Sequence, residues 1–274
     1  MMVEALVYFF VPALVGVLIG IASGLLGIGG GTVMVPIFRL AFGMSATVST
    51  ATSLFAIIPT SISGAISHVK GKTCIPALGI AAGLGGACLS PVGVWLAQLS
   101  PDWLVMLAAA LIIGYSAINM FKKAFKVPRA GQPAEGADAA APTADDSSLS
   151  RKQLLQGAAI GLVAGLASGY VGVGGGFIMV PLMLSIIGIP MRKASGTSLI
   201  AVMILAIPGV IEQGIIGNIN YLAGIAIVIG TIPGAVIGAR LVTKVPERTL
   251  RLLFGCFLIV AAVMLVLNEV GIFG

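Results

Sequence analysis

The sequence predicts an all-α, polytopic membrane protein made of two inverted structural repeats, and three observations predict it. Apolar residues make up 58% of the chain and charged residues only 9%, with a mean hydropathy of +1.14. Soluble domains carry about 25% charged residues. Uncharged runs cover 5–38, 40–69, 73–101, 103–121, 153–191, 194–211, 213–239 and 252–268. Most approach or exceed the ~20 residues that cross a ~30 Å hydrocarbon layer as a helix. Finally, the chain repeats itself 145 residues on. Segment 20–36, Gly-Ile-Ala-Ser-Gly-Leu-Leu-Gly-Ile-Gly-Gly-Gly-Thr-Val-Met-Val-Pro, returns at 165–181 as Gly-Leu-Ala-Ser-Gly-Tyr-Val-Gly-Val-Gly-Gly-Gly-Phe-Ile-Met-Val-Pro. The same offset pairs Gly43 with Gly188, Thr52-Ser53-Leu54 with Thr197-Ser198-Leu199, and Gly93 with Gly238.

Each half opens with a run too long for one crossing and broken near its middle by Gly-x-Gly-Gly-Gly. The break predicts a hairpin of two shorter helices, 6–27 with 32–41 and 154–172 with 177–187. Three full helices follow in each half, over 49–68, 75–99 and 103–121, then 194–213, 221–241 and 249–270. The result is ten membrane segments, with about eight full crossings and two short or half-helices. The domains are therefore a first membrane repeat, 1–121, a linker, 122–152, and a second membrane repeat, 153–274. The linker is rich in Ala, Pro, Gly, Asp and Ser and cannot support a packed core, so it reads as a flexible tether.

Charge decides the orientation. An even number of crossings per half would place Arg192, Lys193, Arg240, Lys244, Arg248 and Arg251 opposite the basic linker ends. An odd number inverts the second half, and of the 15 Lys and Arg residues only Arg39 then falls on the other side. Loops 98–102 and 214–220 hold no Lys or Arg. Because positive residues stay inside, the linker is predicted to be cytoplasmic and both termini outside, in a cell (inner or plasma) membrane. The net charge of +6 thus reports topology and not a nucleic-acid partner; the surroundings are membrane lipid. No signal peptide is expected, since Glu4 and no Lys or Arg precede the first apolar run. Cys74, Cys88 and Cys256 form no close pair and suggest neither a metal site nor disulfides. No cofactor is expected, and neither a monomer nor a homodimer is favoured.

The glycine breaks carry the functional reading. Each glycine costs roughly 1 kcal/mol against alanine inside a helix, and opened backbone in a membrane persists only where it lines a cavity or is buried in protein. A new helix starts after each break, with free N–H groups and a dipole that favours an anion. Inverted copies would aim two such starts at the midplane. The candidate binding groups are Gly29, Gly30 and Gly31 with Gly174, Gly175 and Gly176. The hydroxyls of Ser23, Thr32, Thr52, Ser53, Ser168, Thr197 and Ser198 stand around them. A cation or proton carrier usually holds buried carboxylates, and among the 9 acidic residues only Glu212 could lie within a helix. Glu212 reads as a solvated helix-end residue and His68 as a surface residue at a cytoplasmic helix end. Arg39 reads as a side chain reaching the outer interface. Trp95 and Trp103 read as interface anchors. A duplicated bundle with interrupted segments in matching places points to a secondary transporter.

The doubled Gly-x-x-Ser-Gly-x-x-Gly-x-Gly-Gly-Gly segment, each copy ending in Val-Pro, resembles the TauE/SafE family of membrane transporters, the sulfite exporter family. The matching positions are Ser23, Gly24, Gly27, Gly29, Gly30, Gly31 and Pro36, with Ser168, Gly169, Gly172, Gly174, Gly175, Gly176 and Pro181. The resemblance implies export or uptake, not catalysis, of a small sulfur-containing anion such as sulfite, a sulfonate or sulfoacetate. It further implies a bacterial or archaeal inner membrane. Phe177 stands where the first copy has Thr32, so the two half-sites are unequal. Two other classes stay open at this stage. One is an anion channel or cation carrier. The other is an intramembrane hydrolase with Ser23 or Ser168 as nucleophile and His68 as base.

Overall fold

The structure, a computed structural model, describes residues 2–126 and 150–269, so the linker expected over 122–152 and the extreme termini lie largely outside the described residues. The described residues form helices: α1 (Met2–Leu26), α2 (Gly31–Phe42), α3 (Ala46–Lys70), α4 (Pro76–Leu99), α5 (Asp102–Lys126), α6 (Arg151–Val171), α7 (Gly176–Leu182), α8 (Met191–Ile216), α9 (Tyr221–Leu241) and α10 (Glu247–Glu269). A π-helical turn over Met183–Ile187 prolongs α7. Seven of these are long and apolar enough to cross a bilayer. The segments Gly31–Phe42 and Gly176–Ile187 are each about 18 Å long at 1.5 Å per residue, shorter than the hydrocarbon layer.

Local chemistry sets the ends. Ser45 accepts the Val48 N–H at 3.3 Å to start α3, Ser150 and Gln153 cap α6 reciprocally, and Asn220 accepts the Ala223 N–H at 3.1 Å to start α9. Gly43 and Gly188 stop the two short arms at equivalent places, with φ of 61° and 78°, a conformation glycine adopts without a Cβ penalty. The fifth helix runs on to Lys126, past the expected end at 121, because Lys123 turns inward. Its ammonium donates to the Pro181 carbonyl at 2.8 Å, beside the π turn.

Packing follows the repeat. On α1, Gly16, Gly20 and Gly24 face α9 so closely that a methyl on any of them would fall on the carbonyl oxygen of Ile227, Thr231 or Ala235. Their counterparts Gly161, Gly165 and Gly169 face α4 the same way, against the carbonyls of Ala82, Gly86 and Ser90. Small residues thus let backbones meet where lipid supplies no hydrophobic drive, and both pairs run parallel. Helices α3 and α8 instead run antiparallel: His68 abuts Gly196, Leu199 abuts Gly64, and Leu54 abuts Gly209. So do α5 and α10, where Phe121 meets Gly255 and Arg251 donates to the Lys123 carbonyl at 3.4 Å. Both antiparallel pairs thus join helices at equivalent positions of the two halves.

Candidate functional site

Glycine's lack of a side chain is needed at both breaks. Gly27, Gly29 and Gly30 have φ of 76°, 79° and 84°, and Gly172, Gly174 and Gly175 have 72°, 85° and 67°. The left-handed region costs other residues roughly 1–2 kcal/mol each. The two breaks meet each other. A methyl on Gly31 would lie 2.6 Å from the Val173 carbonyl oxygen, and one on Gly176 2.9 Å from the Ile28 Cα. Around them stand Ile57 of α3 with Val202 and Leu205 of α8, residues from the middle of the two central helices. The pair of loops therefore sits at mid-depth of the bundle.

The helix starts leave donors free. At the first break the N–H groups of Val33 and Met34 turn back to the Gly30 carbonyl at 3.3 and 3.2 Å. Among the described residues, no acceptor takes the N–H groups of Gly31 and Thr32, the orphan donors of a helix start. At the second break the Gly176 N–H is taken by the Gly174 carbonyl at 2.8 Å, Ile178 and Met179 turn back to Gly175, and among the described residues only the Phe177 N–H of this helix start has no acceptor.

Hydroxyls divide into two groups. Ser23, Thr32, Ser53 and Ser168 are fully buried, at 0% exposure, and their oxygens have no hydrogen-bond partner among the described residues. Buried hydroxyls are normally paired, so these four are donors available to a bound group. The other three predicted site hydroxyls hold the scaffold. Thr52 accepts the Asn220 N–H at 3.0 Å, and its counterpart Thr197 accepts the Ile75 N–H at 2.9 Å, fixing the starts of α9 and α4. Ser198 donates to the Gly27 carbonyl at 2.7 Å and sits within 2.9 Å of the Ser195 carbonyl, so it secures the first break.

Three further buried hydroxyls without a partner among the described residues escaped the sequence reading, Ser49, Ser61 and Ser90. Ser61 Oγ lies 3.4 Å from a methyl placed on Gly29. The repeat counterparts of Ser49, Ser61 and Ser90 are Ala194, Ala206 and Ala235, so a search for paired hydroxyls passes over them.

His68 is a correction. It is fully buried, not a surface residue. Its Nε2–H donates to the Gly24 carbonyl at 2.8 Å, and Nδ1 lies 2.7 Å from the Thr73 hydroxyl. Gln213, its counterpart, is likewise buried and accepts from Asn218, the counterpart of Thr73, at 2.8 Å. Both positions tie a helix end to the loop that follows. With both ring nitrogens engaged, His68 is placed as a structural link and not as a base. Arg39 lies in the last turn of α2, where a cation suits the helix dipole. Glu212 is half-buried on α8.

Comparison with known proteins places the chain among membrane transporters. The family profile described as Sulfite exporter TauE/SafE matches residues 12–265. The probable membrane transporter protein YunE of Bacillus subtilis is 27% identical, with 97% of this chain and 99% of the relative covered. A probable membrane transporter protein of Haemophilus influenzae is 28% identical over 93% of this chain and 97% of its own. One from Xylella fastidiosa is 25% identical over 92% of each. No solved structure matches the chain significantly.

Proposed function

The chain belongs to the sulfite exporter TauE/SafE family of multi-pass membrane transporters, and from that premise we propose that it is a secondary transporter of a small sulfur-containing anion such as sulfite, a sulfonate or sulfoacetate. One observation carries the reading: two left-handed glycine breaks meet at mid-depth beside buried hydroxyls that have no partner. The anion is held there by backbone N–H groups and hydroxyls, without a basic side chain. A helix start favours negative charge, and neutral dipoles release a weakly held ion readily. The parallel seams of α1 with α9 and of α4 with α6 pack backbone on backbone, which makes each pair a stiff unit. Rocking of these units against the antiparallel α3–α8 centre would expose the breaks to one side and then the other, the alternating access of inverted-repeat carriers.

The substrate class is tested on purified protein. Sulfite, methanesulfonate and sulfoacetate are expected to raise the thermal midpoint in a saturable way, while sodium and potassium exchanged at constant anion leave it unchanged. Stabilisation by the cations and by none of the anions would reject the anion reading.

The membrane orientation belongs to the same proposal: linker in the cytoplasm, both termini outside, in the inner membrane. In a background lacking Cys74, Cys88 and Cys256, single cysteines beside Glu4 and at Gly274 should react with an impermeant thiol reagent on intact cells. One beside Gln132 should react only after permeabilisation. Equal labelling of all three sites on intact cells would defeat the inverted topology.

A further inference from the structure

The two breaks are equivalent in backbone and unequal in chemistry. At the first, the N–H groups of Gly31 and Thr32 are untaken among the described residues. The hydroxyls of Ser23, Thr32 and Ser61 are fully buried and unpartnered. These residues all flank the first break. Ser61 Oγ is 3.4 Å from a methyl built on Gly29, Ser23 Cβ is 3.6 Å from one built on Gly30, and Thr32 is in the first turn of the helix that Gly30 caps. At the second break Phe177 replaces Thr32 and Ala206 replaces Ser61, and the Gly176 N–H is spent on Gly174, which leaves one untaken N–H, that of Phe177, and the one hydroxyl of Ser168. Helix α2 runs 12 residues without interruption, whereas α7 has 7 before its π turn, so the first start also carries the longer run of aligned dipoles.

The walls add selectivity. Ile19 Cγ2 and Met34 Cε stand 3.1 and 3.0 Å from a methyl on Gly30, with Ile57 and Val202 beside Gly29. No side chain in this frame carries a charge. A site of neutral donors in an apolar wall repays only part of the desolvation of an ion, and that penalty grows with the square of the charge. Flexible Met34 is the side chain able to yield when an ion enters.

Building on the anion reading above, we propose that the first break is the seat, that it takes one monovalent oxyanion per chain (a sulfonate or hydrogensulfite in preference to a dianion), and that Ser61 is a specificity-determining ligand. The second break packs against the seat and moves with it but contributes less to holding the ion.

Titration calorimetry on the purified full chain tests this, with methanesulfonate and sulfate as probes at matched ionic strength. One methanesulfonate binds per chain, and sulfate binds at least tenfold more weakly. Ser61→Ala raises the methanesulfonate Kd at least tenfold, and at least fivefold more than Ser168→Ala does. Ser61→Thr, which keeps the hydroxyl, recovers most of that loss. The ligand-free Ser61→Ala chain melts no lower than the parent, since its hydroxyl has no protein partner to lose. Equal losses for Ser61→Ala and Ser168→Ala, two anions per chain, or equal affinity for sulfate would overturn the asymmetric seat while leaving the transporter reading intact. A Ser61→Ala chain that melts well below the parent would make the hydroxyl structural and overturn its assignment. A parent chain that binds neither probe would overturn both.

Discussion

Gly30→Ala is expected to lower anion affinity and transport by on the order of a hundredfold while the protein still inserts and folds. The residue has φ of 84° and caps α2, so alanine there is strained by roughly 1–2 kcal/mol. Its methyl meets the ends of Met34 and Ile19 at 3.0 and 3.1 Å, flexible groups that can shift. The fold therefore absorbs the change. The site does not, because the methyl takes the space between Ile19, Ser23 and Met34 beside the helix start that we propose as the seat. Losing two charge-assisted hydrogen bonds at about 1.5–3 kcal/mol each accounts for the factor. Gly175→Ala, at φ 67° with the Ala164 carbonyl 3.0 Å from its methyl, is expected to lose about tenfold, as the second loop backs the first. Binding and melting temperature measured on the same preparations separate the two effects. Parent-like binding by both variants would make the breaks packing devices only.

The second large effect falls on the fold itself. Gly165→Leu is expected to prevent accumulation of folded protein, because a methyl there would fall on the Gly86 carbonyl and 2.4 Å from the Gly86 Cα. Backbone cannot rotate away, so α4 and α6 must separate along their whole seam. Overpacking a core costs about 1–3 kcal/mol even where side chains can give way, and here none can. The cost therefore exceeds that range and reaches the order of the total stability itself, roughly 5–15 kcal/mol, so folded protein does not accumulate. Gly114→Leu is the control, since nothing lies within 4 Å of a Cβ at that position. Monodisperse yield and thermal midpoint in detergent read the difference. A Gly165→Leu protein that melts with the parent would show that the seam is loose.

Much of this was legible in the sequence because the repeat constrains it twice. Helix α9 spans Tyr221–Leu241, the range expected from hydropathy, and the breaks fall where the glycines do. What the sequence hid is tertiary. His68 looked like a helix-end surface residue, since nothing local announces that the Gly24 carbonyl and Gly196 close over it. Lys122 and Lys123 appeared to end α5, yet the Lys123 ammonium is consumed by the Pro181 carbonyl. Thr52 and Thr197 were conspicuous because they recur, and recurrence here marks a scaffold bond to the next loop. Ser61 was inconspicuous because it does not recur.

The most direct test of the central claim is flux through the purified protein in sealed liposomes, with labelled sulfite or methanesulfonate outside and unlabelled anion inside. Anion exchange that saturates with concentration, accelerates with anion on the far side, and falls on the order of a hundredfold in Gly30→Ala is the predicted result. Flux that rises linearly without counterflow, or that follows a cation and ignores the anion, would contradict it.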